Sequence, residues 1–478
     1  MGCQRKEAVF CVPEGLVVEG FKSYKTLKQE NAPHGHRRDS HEKRRRHTKR
    51  MTKKISLTSA CYTETKHWPP YTYRDYPKVA PEKLQAFKSF LETENTSNVR
   101  KELQPWIPFC TMKCSFCYFP TELTSSSVVG KYLDALKKAL AMYSETKYVK
   151  TSEFSEIYLA GGTPSIMSTE QTIDIIEFCE KNFNISEERE IKVTGCTHDF
   201  DYKKLKALSE YGVDQLDLGV QTFDDNIRKL INLRDKAGNA AETIKTAHKL
   251  GLRVSIDLMY NLPGQDLKVW NRDVQRALEL DVESADCYAL DVYPGTKLAK
   301  QLQSGELPPR GDHHSEKEMY AEAQNTFKTA GYKPTCHNRF SRIKEDFKEP
   351  CMEVLATGAG SFMGTLGKFS YVDIEPAKVY IEAVDRGMFP VSRLAESSVE
   401  DEMGKMMMRL YIRLPVNKTE FKSRFGKLPE EAFGSTIDKL EKKGLIEVDE
   451  AEIRLTKLGD MWRYNVCWEF SQQKTDNP

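Results

Sequence analysis

The sequence predicts an α/β protein: a partial (β/α)6 TIM-type barrel of parallel strands, followed by a C-terminal α+β domain that includes a winged-helix-like module. Three observations predict it. Short apolar runs alternate with stretches of helical apolar spacing six times over residues 104–330. Such serial units impose parallel strands with right-handed crossovers, hence a doubly wound sheet or a barrel. Finally, the residues of unusual chemistry fall at the carboxyl ends of the apolar runs, where both folds gather their chemistry.

The strand segments read WIPFC (106–110), EIYLAGG (156–162), EIKVTGC (190–196), QLDLGVQ (215–221), RVSIDLMYNLPG (253–264) and ADCYALDVYPG (285–295). Between them, residues 128–143, 169–183, 202–212, 239–251 and 267–280 carry helical periodicity. Gly212 and Gly251 stand where helix C-caps belong. On this reading Cys110 ends the first strand, Gly161 and Gly162 end the second, Gln221 follows the fourth, and Pro263 and Gly264 follow the fifth. Residues 331–400 read as a loop-rich segment, with ATGAGSFMGTLGKF at its centre. Residues 401–478 read as helices around MGKMMMRLYIRL and STIDKLEKKGL, then strand, turn, strand and helix.

The chain of 478 residues, 39% hydrophobic and 30% charged, has the composition of a globular protein. No apolar run approaches the roughly 18 residues that span a bilayer, and no stretch has the order of a secretory signal, so a cytoplasmic location is the expectation. The net charge of +2 conceals a basic tract at residues 35–54 with 10 Lys/Arg against Asp39 and Glu42. Residues 1–60 read as a basic extension without stable structure, and 61–103 as a lead-in to the barrel. Met51 opens more ordinary sequence, so residues 1–50 also fit an extension upstream of an alternative start. Nucleic acid is not the expected partner.

Twelve cysteines without an export signal point to reduced thiols. Three of them, Cys110, Cys114 and Cys117, cluster as C-x3-C-x2-C in FCTMKCSFCYF. A tetrahedral zinc would want a fourth ligand that the neighbourhood does not offer. Three thiolates suit a [4Fe–4S] cubane with one iron left free. Gly161, Gly162 and Thr163 precede Pro164 at a strand end, so the backbone there can approach a ligand closely.

The motifs PFCTMKCSFCYF, LAGGTPS, LGVQTFDD, DLMYNLPGQ and YALDVYPGTKL occur in this order. The chain thereby resembles the radical S-adenosylmethionine (SAM) superfamily, and within it the oxygen-independent coproporphyrinogen III oxidases and haem chaperones, from about Gln104 to Gly364. The resemblance implies a radical SAM oxidoreductase-like enzyme that cleaves SAM reductively to a 5′-deoxyadenosyl radical and acts on a tetrapyrrole or other small molecule, with a reductant such as flavodoxin or ferredoxin. A haem chaperone and a radical SAM methyltransferase are the alternatives. By the same resemblance Cys110, Cys114 and Cys117 bind the cluster, Phe116 packs on SAM, and Gly161, Gly162 and Thr163 line its methionine moiety. Gln221 and Asp257 reach the ribose, and Arg234 pairs with the carboxylate, the family arginine falling at Leu233. The chain departs from the family at Gln104 and Trp106, where Tyr-x-His is usual. It departs again at Thr194, where a glutamate is usual, and in CHNRFSR (336–342), which matches the chaperones' His-Asn motif only loosely.

Overall fold

The computed structural model describes residues 61–70, 76–124, 126–336, 338–344, 346 and 350–471. The basic tract, Met51 and the histidines at 34, 36, 41 and 47 lie outside the described residues, as does His337. Six parallel strands form the centre: β1 (Lys101–Ile107), β2 (Phe154–Gly161), β3 (Ile185–Gly195), β4 (Gln215–Gln221), β5 (Arg253–Tyr260) and β6 (Ser284–Ala289). They neighbour one another in sequence order, as serial right-handed crossovers require.

Helices return the chain between strands and bury one face against the sheet. Thr169–Asn182 starts on a capping box made by Ser168 and Gln171 and buries Ile175, Ile176 and Cys179. Tyr202–Tyr211 is capped by Asp201 and ends at Gly212, whose φ of 106° demands a residue without Cβ. Leu267–Glu279 buries Trp270, whose indole N–H donates to Met319 O at 2.7 Å and so ties this helix to His313–Thr329.

The sheet stays open. Beyond β6 lie the antiparallel Arg339–Ser341 and Lys333–Pro334. Beyond β1 lies Glu353–Thr357, parallel to it, then Gly364–Leu366, Phe369–Asp373 and Val391–Glu396 as an antiparallel meander. The sequence reading treated 331–400 as loop-rich, whereas this part of the chain widens the sheet on both sides. Its glycines signal close packing: a Cβ on Gly364 would stand 2.4 Å from the Tyr371 ring.

The first strand also ends earlier than its apolar run. Pro108 has no N–H to donate and breaks the ladder, so Phe109–Cys110 forms a separate short strand beside Glu122–Leu123. Cys110 therefore opens a loop and does not end β1.

The C-terminal part carries helices Lys418–Phe425 and Pro429–Lys442, a three-stranded sheet (Val416–Asn417, Ile446–Val448, Glu452–Leu455) and a closing helix, Arg463–Ser471. Among the described residues no helix is long and apolar enough to cross a membrane.

Candidate active site

The loop after Cys110 is held at both flanks. Ser115 N donates to Ile231 O at 3.0 Å, Leu298 N to Ser115 O at 2.8 Å, and Asn232 Nδ2 to Lys113 O at 3.0 Å. Cys117 N closes a turn onto Cys114 O at 3.2 Å. The loop thereby presents Cys110, Cys114 and Cys117 to one cavity of about 350 Å³ at the carboxyl ends of the strands. Burial raises all three thiols above their ordinary range, and at Cys114, pushed up to about 12, Cys117 and Cys110 add to it.

A bound cation would reverse that balance, because thiolate ligation releases the proton. Among the described residues, the donor groups close enough to share a single ion, within 4.8 Å of one another, do not include these three thiols. Their spacing suits a polynuclear cluster better than one ion.

Opposite the loop stands a glycine edge. Gly161 has φ 124°, and a Cβ there would lie 2.5 Å from Ile107 O; a Cβ on Gly162 would come within 3.1 Å of Cys110 Sγ. Only glycine lets the backbone pass this close. Thr163 Oγ1 lies 3.2 Å from Cys110 Sγ. Gln221, at the end of β4, takes φ 66°, a conformation costly for a side chain of its size and found where a site over-determines the backbone.

Gln221, Asp257, Phe116, Gly161, Gly162, Thr163 and Thr194 all line the cavity with the three cysteines. Arg234 does not. Its guanidinium donates to Thr111 Oγ1 at 3.3 Å, at the exposed side of the thiol loop, and Leu233 takes the place at the wall. Thr194, where a carboxylate was expected, donates to Tyr158 Oη at 2.8 Å.

Residues 105–276 match the Radical SAM superfamily, and residues 404–462 match the HemN C-terminal domain. Over its strand-and-helix core the chain is similar to the radical SAM superfamily. It is 29% identical to "Heme chaperone HemW" of Bacillus subtilis over 74% of this chain and 95% of that one. It is also 22% identical to "Anaerobilin synthase" of Escherichia coli O157:H7, over 84% and 90%. Its fold is that of coproporphyrinogen III oxidase (HemN) from Escherichia coli, with a TM-score of 0.76 and 20% identity over 85% of this chain and 97% of that one. The radical SAM family uses a [4Fe–4S] cluster and SAM. When bound, they supply an electron and a carbon-centred radical; the chain's own residues bind, orient and exclude water.

Two distant parts of the chain add to the lining of this cavity beside the open sheet. From the N-terminal side, His67 pairs with Glu316 Oε1 at 3.0 Å and Asp291 Oδ1 at 3.6 Å, while Trp468 Nε1 donates to Trp68 O at 2.8 Å. These carboxylates outweigh burial and raise His67 to about 9. From the C-terminal side come Met461, Trp462, Arg463 and Tyr464. Lys317 is 7% exposed, sits over the Trp462 ring at 4.6 Å and is lowered by burial to about 8. Sequence reasoning missed His67, Glu316, Lys317 and Arg463, because no local spacing marks residues that meet only in the folded chain.

The barrel interior is acidic. Asp257 and Asp286 are register partners on β5 and β6, and Asp217 stands on β4. Burial, then Asp286 and Asp217, raise Asp257 well above the carboxylate range. Arg339 Nε donates to Asp286 Oδ2 at 2.8 Å, which places one buried guanidinium among the three acids.

Proposed function

We propose that Cys110, Cys114 and Cys117 hold the [4Fe–4S] cluster, and that the chain uses it with SAM to perform radical chemistry on a tetrapyrrole. One cavity carries the reading: the thiols, the glycine edge and Gln221 line it together with the aromatic side chains Trp68, Tyr118, Tyr288, Tyr293 and Trp462. Trp68 and Tyr288 lie 6.5 Å apart at 24°, and Tyr118 and Tyr293 3.9 Å apart. Flat faces of this kind suit a planar conjugated ring.

Within that cavity, Gly161, Gly162 and Thr163 would line the methionine part of SAM, Phe116 would pack on it, and Gln221 and Asp257 would meet the ribose. Asp257, held protonated, would donate one hydrogen bond there and accept another. A one-electron reductant of the flavodoxin or ferredoxin class, and a cytoplasmic setting, belong to the same reading.

A second reading, a haem chaperone, is favoured by the Bacillus relative named as one. The deciding experiment is anaerobic incubation of the reconstituted, reduced chain with SAM and candidate porphyrins, followed by mass analysis of both. 5′-Deoxyadenosine with a changed porphyrin supports the enzyme. S-adenosylhomocysteine with a methylated ring indicates methyl transfer, and haem bound but unchanged indicates the chaperone.

A further inference from the structure

β3 ends at Gly195, and the chain then turns through the short segment Thr197–Asp199. This turn gathers three donors of different chemistry. Cys196 Sγ, a ring nitrogen of His198 and a carboxylate oxygen of Asp199 all lie within 4.8 Å of one another. His198 Nε2 is sealed from solvent and has no hydrogen-bond partner, although Asp199 Oδ1 stands 3.4 Å away. A buried imidazole nitrogen facing a carboxylate without a hydrogen bond is costly unless something else satisfies both.

The surroundings fix these groups in place. Ser165 Oγ donates to Asp199 Oδ2 at 2.8 Å and accepts from Cys196 N at 3.0 Å. Outer hydrogen bonds that orient donors in this way accompany metal ligands. A Cβ on Gly195 would lie 2.4 Å from Ser165 Oγ, so glycine is what lets Ser165 reach both residues.

We infer that Cys196, His198 and Asp199 form a binding site for one divalent transition-metal ion of the zinc class, distinct from the iron–sulfur cluster. Thiolate, imidazole and carboxylate are the donors that zinc takes at its tetrahedral sites, whereas magnesium and calcium select oxygen alone. Three protein ligands leave a fourth position. Cys196 lines the central cavity, so that position borders the place where Thr194 leaves the wall without a carboxylate. The site stands whether the chain proves to be an enzyme or a chaperone.

The test separates this ion from the cluster. The chain with Cys110, Cys114 and Cys117 all changed to Ala is titrated anaerobically with cobalt(II). One equivalent should bind with an intense near-ultraviolet thiolate-to-cobalt band. Cys196→Ser in that background should abolish the band, and His198→Gln should weaken binding tenfold or more. In parallel, elemental analysis of the full wild-type chain with its cluster assembled in zinc-containing buffer should find one zinc that Cys196→Ser removes and Cys114→Ala retains. The wild-type measurement stands even if the triple variant fails to fold. The inference is overturned by absence of zinc beyond background in the wild-type chain, by a cobalt band that survives Cys196→Ser, or by unchanged affinity in His198→Gln.

Discussion

At the carboxyl ends of the strands three thiols crowd together, and inside the same barrel three carboxyls, Asp217, Asp257 and Asp286, do likewise. Burial raises the three thiols, and Asp257 and Asp286 among the acids, above their ordinary pKa values, and Cys114 and Asp257 are raised further by like neighbours. They differ in what opposes the crowding. The acids have Arg339 among them, with its Nε on Asp286 and its Nη1 3.5 Å from Asp346. Around the thiols, Lys113 and Arg228 pull downward less than burial pushes up. One cluster is balanced from within the chain; the other is not, and thiolate ligation of a cation would reverse the push.

The largest effect expected from this contrast is at the thiols. Cys114→Ala should reduce cluster iron to near background and abolish SAM cleavage, because two thiolates hold a cubane poorly; full iron by elemental analysis would remove Cys114 from the ligand set. The converse test removes the cation from the acids. Arg339→Met leaves buried carboxyls without their partner and should lower stability by about 3–5 kcal/mol in denaturant unfolding at pH 7. A neutral result would mean that the buried carboxyls need no guanidinium beside them.

A smaller effect separates charge from hydrogen bonding at Asp257. Asp257→Ala should weaken SAM binding about five- to 150-fold by calorimetry, the loss of two neutral hydrogen bonds of about 0.5–1.5 kcal/mol each. Asp257→Asn should weaken it far less, since a carboxyl held protonated already resembles an amide; equal losses in both variants would contradict a protonated Asp257.

The smallest effect is at His67. Its pKa is raised from 6.5 to about 9 by Asp291 and Glu316, so its contribution is full below pH 6.5 and lost as pH rises through about 9. Protection factors of residues 64–68, with exchange rates corrected for intrinsic base catalysis, should fall across that window in the wild-type chain but not in His67→Gln. A flat wild-type profile would show that the ion pair does not fasten this segment.

The six strands and their crossovers were legible because period and order are local properties, and the thiol spacing was legible because one loop carries it. Gln221 was placed by resemblance, but its positive φ could not be read from letters. The strands flanking the barrel hid behind glycines that the sequence offers equally to turns and to close packing, as Gly364 against Tyr371 shows. Arg234 and Leu233 differ by one position, and side-chain direction at a loop is set by tertiary contacts such as Thr111. His67 and Arg463 line one cavity from nearly opposite ends of the described chain, and no window of sequence contains both.

That last juxtaposition has a consequence for how the protein is made. Translation delivers the thiol loop and all six parallel strands long before Trp462 and Arg463 emerge from the ribosome. Until then the cavity lacks the part of its wall that these residues supply. Completion of the C-terminal helices then closes that side of the cavity, so vectorial synthesis orders the assembly of its walls.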